Sequence, residues 1–210
     1  MRYRVAILAA GFSGLLSFTV LAAAIGTDYW YLVDVNSPNH TGTDDLSSHS
    51  GLWRMHEGKN SSSLMSSFTE DTSSLSEVEK HLFNLHKVVV VLLPVSLVLL
   101  VFGWIFGVVS ALARSVRLLA ASASYFLFCS LFTLSGLCIY ISYSQRAMEE
   151  FQRMVSPEDL AHVEVSYGWS CALAWLSHGL EVSCGLLLLL AARLVHLKEH
   201  QDLGVTVAMT

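Results

Sequence analysis

VVVVLLPVSLVLLVFGWIFGVVSALA, residues Val88–Ala113, runs for 26 residues without a charge. A helix needs about 20 apolar residues to cross a hydrocarbon core roughly 30 Å thick. A soluble amphipathic helix meets a charge sooner, because only one of its faces is apolar. The stretch therefore reads as a membrane span. Three more blocks read the same way. Val5–Gly26 carries no charge in 22 residues, Leu118–Ser144 none in 27, and Trp169–Ala192 only Glu181. One membrane domain over 1–210 is expected, with spans near 5–26, 88–113, 118–144 and 169–192. Outer loops 27–87 and 145–168 and a tail 193–210 complete it.

The composition agrees. Hydrophobic residues make up 53% and charged residues 14%, against about 25% charged in a soluble domain. So much apolar surface excludes an intrinsically disordered chain. Three prolines and 13 glycines exclude a collagen-like one.

Charge sets the orientation. Arg2 and Arg4, Arg114 and Arg117, and Arg193 and Lys198 crowd three short segments on one side. The loop Thr27–Lys87 holds nine acids against four bases, and Gln145–Glu164 five against two. The positive-inside rule places both termini in the cytoplasm and both longer loops outside, at the plasma membrane. No basic patch exists to displace counterions, so no nucleic-acid partner is expected. Two sequons, at Asn39 and Asn60, fall in the same outer loop and are candidate N-glycosylation sites. The first apolar run exceeds the roughly 7–15 residues of a signal-peptide core, so it is expected to stay as a span.

The first outer loop is uneven. Asp28–Val35 and Gly51–His56 read as strands, Asn36–Ser50 as loop, and Gly58–Ser74 as a Ser-rich mobile stretch. Ser76 with Glu79 forms a capping box that starts a helix running into the second span. Ser156–Asp159 marks a turn or helix start, and His162–Tyr167 a strand entering the fourth span. Strands from both loops are expected to share one sheet, because isolated hairpins are marginal.

Candidate chemistry is sparse. Cys129, Cys138, Cys171 and Cys184 all lie in spans, so no extracellular disulfide is expected. No metal ligand set, cofactor motif or catalytic elbow is present in the sequence, and an enzyme is not expected. Glu181 is the one acid within a span, and His178 lies one helical turn before it. The pair reads either as a proton relay or as a satisfied buried polar pair, and the second reading is preferred. Gly103 and Gly107 form a small-xxx-small packing pattern, with Ala10 and Gly14 as another. Packing within the monomer is favoured there over a homo-oligomer contact.

Four spans, a long first outer loop, Trp30 and then Gly51-Leu52-Trp53 together resemble the claudin and calcium-channel gamma-subunit superfamily. Asp28–Tyr31, Ser47–Arg54, Leu92–Leu97, Ile139–Ser144 and Gly168–Ser170 resemble its transmembrane protein 114 and 235 branch. The resemblance implies a claudin-like fold: a four-transmembrane-helix bundle topped by an extracellular antiparallel sheet. Four strands would come from the first loop and one from the second. It implies that Trp30 and Trp53 anchor the sheet at the headgroup level. The chain also departs from the pattern. The family's two loop cysteines would fall at His56 and near Ser62. Cysteines for lipidation beside the spans and an apolar scaffold-binding last residue are missing as well. The implied role is non-enzymatic contact with another membrane protein, as an auxiliary or adhesion-type subunit. The alternative is a paracellular barrier or cation pore at cell junctions.

Overall fold

The structure, a computed structural model, describes residues 2–35, 48–57, 60–63, 77–113, 115–154 and 163–208. Among them are four long helices: α1 (Arg2–Gly26), α2 (Glu77–Ala113), α3 (Val116–Met154) and α4 (Trp169–Ala208). Each holds a segment long and apolar enough to cross a membrane. Five strands accompany them: β1 (Tyr31–Val35), β2 (Ser48–Ser50), β3 (Arg54–Glu57), β4 (Asn60–Ser63) and β5 (Val163–Tyr167). The architecture is the expected four-helix membrane bundle with a small antiparallel sheet.

The strands form one sheet in the order β4-β3-β2-β1-β5, every pair antiparallel. The segment between α3 and α4 is zipped to the one between α1 and α2 over five residue pairs, from Tyr31↔Tyr167 to Val35↔Val163. Four strands come from the first loop and one from the second, as the resemblance implied.

The boundaries differ from the sequence reading in instructive ways. Asn36–Ser50 and Gly58–Ser74 were expected to hold no strand, yet each contributes one, SHS and NSSS. Neither alternates apolar and polar residues. Their pairing is imposed by neighbours, which supply the backbone partners. The strand expected at Asp28 begins at Tyr31, and the one expected at Gly51 begins at Arg54. α3 continues ten residues past Ser144, and α4 runs through most of the expected tail. Hydropathy marks where lipid ends, whereas a helix of Gln, Arg, Met and Glu continues into water on propensity alone. An exposed Arg153–Glu150 ion pair at 2.9 Å lies in that extension. Ser76 and the 156–159 turn lie outside the described residues.

Two compact units divide the chain. The first comprises 1–21, 95–133 and 176–210. Its core holds Ala10, Leu100, Leu119, Ala123, Phe126, Leu188 and Ala191. The second comprises 22–94 and 134–175. Its core holds Trp30, Leu52, Val89, Leu93, Leu137 and Tyr140, together with the sheet. Small residues set the helix spacing in both. A Cβ on Gly136 of α3 would meet Leu93 of α2 at 2.8 Å, and one on Gly185 of α4 would meet Leu127 of α3 at 2.9 Å.

Candidate functional site

The end of α1 organises the second unit. The last carbonyls of any helix lack intrahelical partners, and in a membrane setting each unmet one costs several kcal/mol. Here three side chains meet them. Thr27 Oγ1 donates to Ala23 O at 2.7 Å. Trp30 Nε1 donates to Ala24 O at 2.8 Å. Trp53 Nε1 donates to Ile25 O at 2.9 Å. Trp30 is fully buried, at 0% exposure, and its ring meets Tyr140 edge-on at 4.8 Å. The tryptophans are therefore helix caps. This corrects the headgroup-level anchoring expected for Trp30: its N–H is spent on a protein carbonyl.

Gly51 and Leu52 complete the motif by close approach. A Cβ on Gly51 would sit 2.6 Å from the Asp28 Cα, so the chain passes only as glycine. The Gly51 N–H donates to Arg54 O at 2.8 Å, closing the turn between β2 and β3. Leu52 is buried, and its carbonyl accepts from His86 Nε2 of α2 at 3.2 Å. On the other strand, Gly168 joins β5 to α4. Its N–H donates to Trp30 O at 3.0 Å, and Ser170 N–H donates to Tyr29 O at 3.1 Å. A Cβ on Gly168 would lie 2.7 Å from the Tyr29 carbonyl carbon and closer still to its oxygen. Tyr140 and Gly168 lie in stretches that carried the resemblance, without a role assigned to either; His86 had no motif to announce it.

The same unit presents an aromatic surface. Tyr29 stacks on His49 at 4.7 Å and lies 5.7 Å from Trp169. Tyr31 and Tyr167 pair across β1 and β5 with centroids 6.0 Å apart. Burial, with Tyr167 next to it, pushes the Tyr31 phenol up from its ordinary value. Tyr167 and Trp169 are each 49% exposed. Beside them a cleft of about 550 Å³ opens between β1, β5 and the extension of α3, lined by Tyr31, Gln145, Glu149, Gln152, Ser166 and Tyr167.

In the first unit, Glu181 is completely buried, at 0% exposure. Thr133 Oγ1 lies 3.0 Å from each of its carboxyl oxygens, and Ser177 Oγ lies 3.5 Å from one. Ser177 and Ser17 exchange bonds to each other's backbone carbonyls at 2.9 and 3.1 Å, and Ser13 Oγ donates to Leu180 O at 2.9 Å. Glu181 is thus the centre of a polar seam through α1, α3 and α4. His178, the sequence candidate for its partner, is half-buried one turn before it. Interhelical hydrogen bonds in membranes contribute about 0.6 kcal/mol on average and up to about 1.7. Thr133→Val is expected to cost about 1–2 kcal/mol, read by denaturant unfolding in micelles. A variant as stable as the parent would show the seam to be energetically idle.

The other candidates fall as follows. Gly103 faces Tyr125 and Phe126 of α3, and Gly107 faces Phe126, so α3 occupies that packing face within the monomer. Ala10 is buried, its carbonyl receiving Cys184 Sγ at 3.2 Å. All four cysteines are free. Asn60 opens the edge strand β4; Asn39 lies outside the described residues.

The positions of the absent cysteines are informative. β3 and β4 pair with His56↔Ser61 and Met55↔Ser62, so the hairpin that a disulfide would close forms by backbone pairing alone. The double variant His56→Cys, Ser61→Cys is expected to oxidise spontaneously and add about 2 kcal/mol. Thiol counting and melting with and without reductant check this.

The model of one known family, described as PMP-22/EMP/MP20/Claudin tight junction, matches residues 15–190.

Proposed function

The chain belongs to the PMP-22/EMP/MP20/claudin family, and on that premise we propose that it is a non-enzymatic plasma-membrane protein that works by contact. Its role is that of an auxiliary or adhesion-type subunit of another membrane protein. Its termini are cytoplasmic, Asn39 and Asn60 carry N-glycans, and it falls in the transmembrane protein 114 and 235 branch. The observation that carries the contact reading is the aromatic surface around Tyr29, Tyr167 and Trp169, beside the cleft under β5. Exposed Tyr and Trp on a rigid support are the usual energetic anchors of protein interfaces. The support is rigid because the sheet is tied to helix ends through Trp30, Trp53 and Gly168.

Ser166 is exposed and lines that cleft. Ser166→Lys is expected to reduce recovery of a native partner by at least about tenfold, since one central interface position carries 1.4 kcal/mol or more. Proximity labelling followed by native pull-down measures it. Unchanged recovery, or no stable membrane partner at all, would sink the proposal.

The second reading is a paracellular barrier or cation pore. It rests on the acidic residues Asp28, Asp34, Asp44, Asp45 and Glu57 in the first loop, which would favour cations. Transepithelial resistance in cells that lack junctional strands decides between them. New strands and a changed resistance favour the pore.

A further inference from the structure

An apolar groove of about 340 Å³ runs along the first unit between α1 and α2. Ile7, Gly11 and Leu15 form one wall, Trp104, Val108 and Leu112 the other, and Phe126 the floor. Two features make it more than a lipid-facing surface. The first is its length. From Ile7 to Leu15, at about 1.5 Å per residue, it extends about 12 Å, close to the acyl depth of one leaflet of a core roughly 30 Å thick. The second is what stands at its end. Arg4 precedes Ile7 and Leu8 by three and four residues, so it projects over the same face of α1. Arg4 is exposed and its Nε donates to the Tyr3 hydroxyl at 3.3 Å. Lys198 Nζ, also exposed, lies 6.0 Å from the centre of the Tyr3 ring. The three segments on that side of the chain, 1–4, 114–117 and 193–210, hold six bases and two acids.

We propose that this groove binds one acyl chain of an anionic glycerophospholipid whose headgroup is held by Arg4 and Lys198 beside Tyr3. The inference does not depend on the contact role proposed above. Charge complementarity selects the occupant. An apolar slot alone would take any chain, a sterol or a second copy of the protein, but a cationic mouth on the leaflet of the chain ends favours a negative headgroup. Gly11 keeps the slot open, since a Cβ there would meet nothing within 4 Å. The position can therefore be filled without disturbing the backbone.

The test uses the full chain in phosphatidylcholine vesicles containing a trace of photoreactive phosphatidylserine, or of photoreactive phosphatidylcholine with the same acyl chains. Label is expected on 7–15 and 104–112, with the serine lipid preferred about fivefold, the factor for about 1 kcal/mol from one Arg or Lys at an anionic surface. Gly11→Phe is expected to abolish that label and keep the parent melting temperature. Arg4→Gln, a surface change that leaves the helix intact, is expected to keep the label and weaken the headgroup preference, and Arg4→Gln with Lys198→Gln to lose it. Equal labelling by the two lipids in the parent chain overturns the proposal. So does label that persists in Gly11→Phe, or cross-linking of two copies through these residues in place of lipid label.

Discussion

Gly168→Ala is expected to abolish the assembled second unit. The added methyl would be driven into the Tyr29 carbonyl, whose carbon lies 2.7 Å from its ideal position. Neither neighbour can retreat cheaply. The Gly168 N–H is bonded to Trp30 O and the Ser170 N–H to Tyr29 O, so moving the backbone breaks both bonds and unseats β5 from β1. The expected cost is about 4 kcal/mol, at the top of what single substitutions produce by overpacking. Thermal unfolding in detergent and the fraction of chain reaching the cell surface both report it. Gly179→Ala in the same helix is the control. A Cβ there meets nothing within 4 Å, and alanine should stabilise the helix slightly, by up to about 1 kcal/mol. If both variants behave like the parent, β5 closes onto β1 through a softer contact than the Gly168–Tyr29 approach implies.

Trp30→Ala is the second large effect, at about 3–5 kcal/mol for the loss of a fully buried indole. Trp30→Phe separates packing from capping. A phenyl ring keeps most of the edge-on contact with Tyr140 and removes the N–H that meets Ala24 O. The orphaned carbonyl should cost about 1–3 kcal/mol. Trp53→Phe should follow the same rule more weakly, because Trp53 is only half-buried. Equilibrium unfolding in micelles ranks the three. A Phe variant at position 30 as stable as the parent would remove the capping role and leave packing alone.

The spans were legible because lipid imposes one requirement, apolarity over a fixed length, which 88–113 states without ambiguity. Strands β1 and β5 were legible from Tyr31–Val35 and Val163–Tyr167, which carry β-branched and aromatic residues. β2 and β4 were not, because SHS and NSSS hold their place through partners distant in sequence. Both tryptophans were found, but the carbonyl partner of the Trp30 N–H was not. Sequence shows an indole near a membrane surface, which fits a headgroup; only coordinates show the carbonyl of Ala24 waiting for it. Glu181 was found with a helix neighbour, His178. Its hydroxyl partner on another element, Thr133, has no spacing relation to it. Gly168 was invisible as a functional residue, since its importance lies in the backbone opposite.

The cap on α1 also has a temporal meaning. The ribosome delivers α1 and its capping residues Thr27, Trp30 and Trp53 early, yet the backbone just beyond the cap is completed by residues made much later. Ser170 Oγ lies 2.8 Å from Thr27 Oγ1, and Gly168 and Ser170 hold the carbonyls of Trp30 and Tyr29. At about 5–20 residues per second, the nascent chain waits on the order of ten seconds with the Tyr29 and Trp30 carbonyls and one edge of β1 unpaired. Translation arrested before residue 168 leaves the same defect permanently. The segment that follows the earliest helix thus stays incomplete until the start of the last helix has been made.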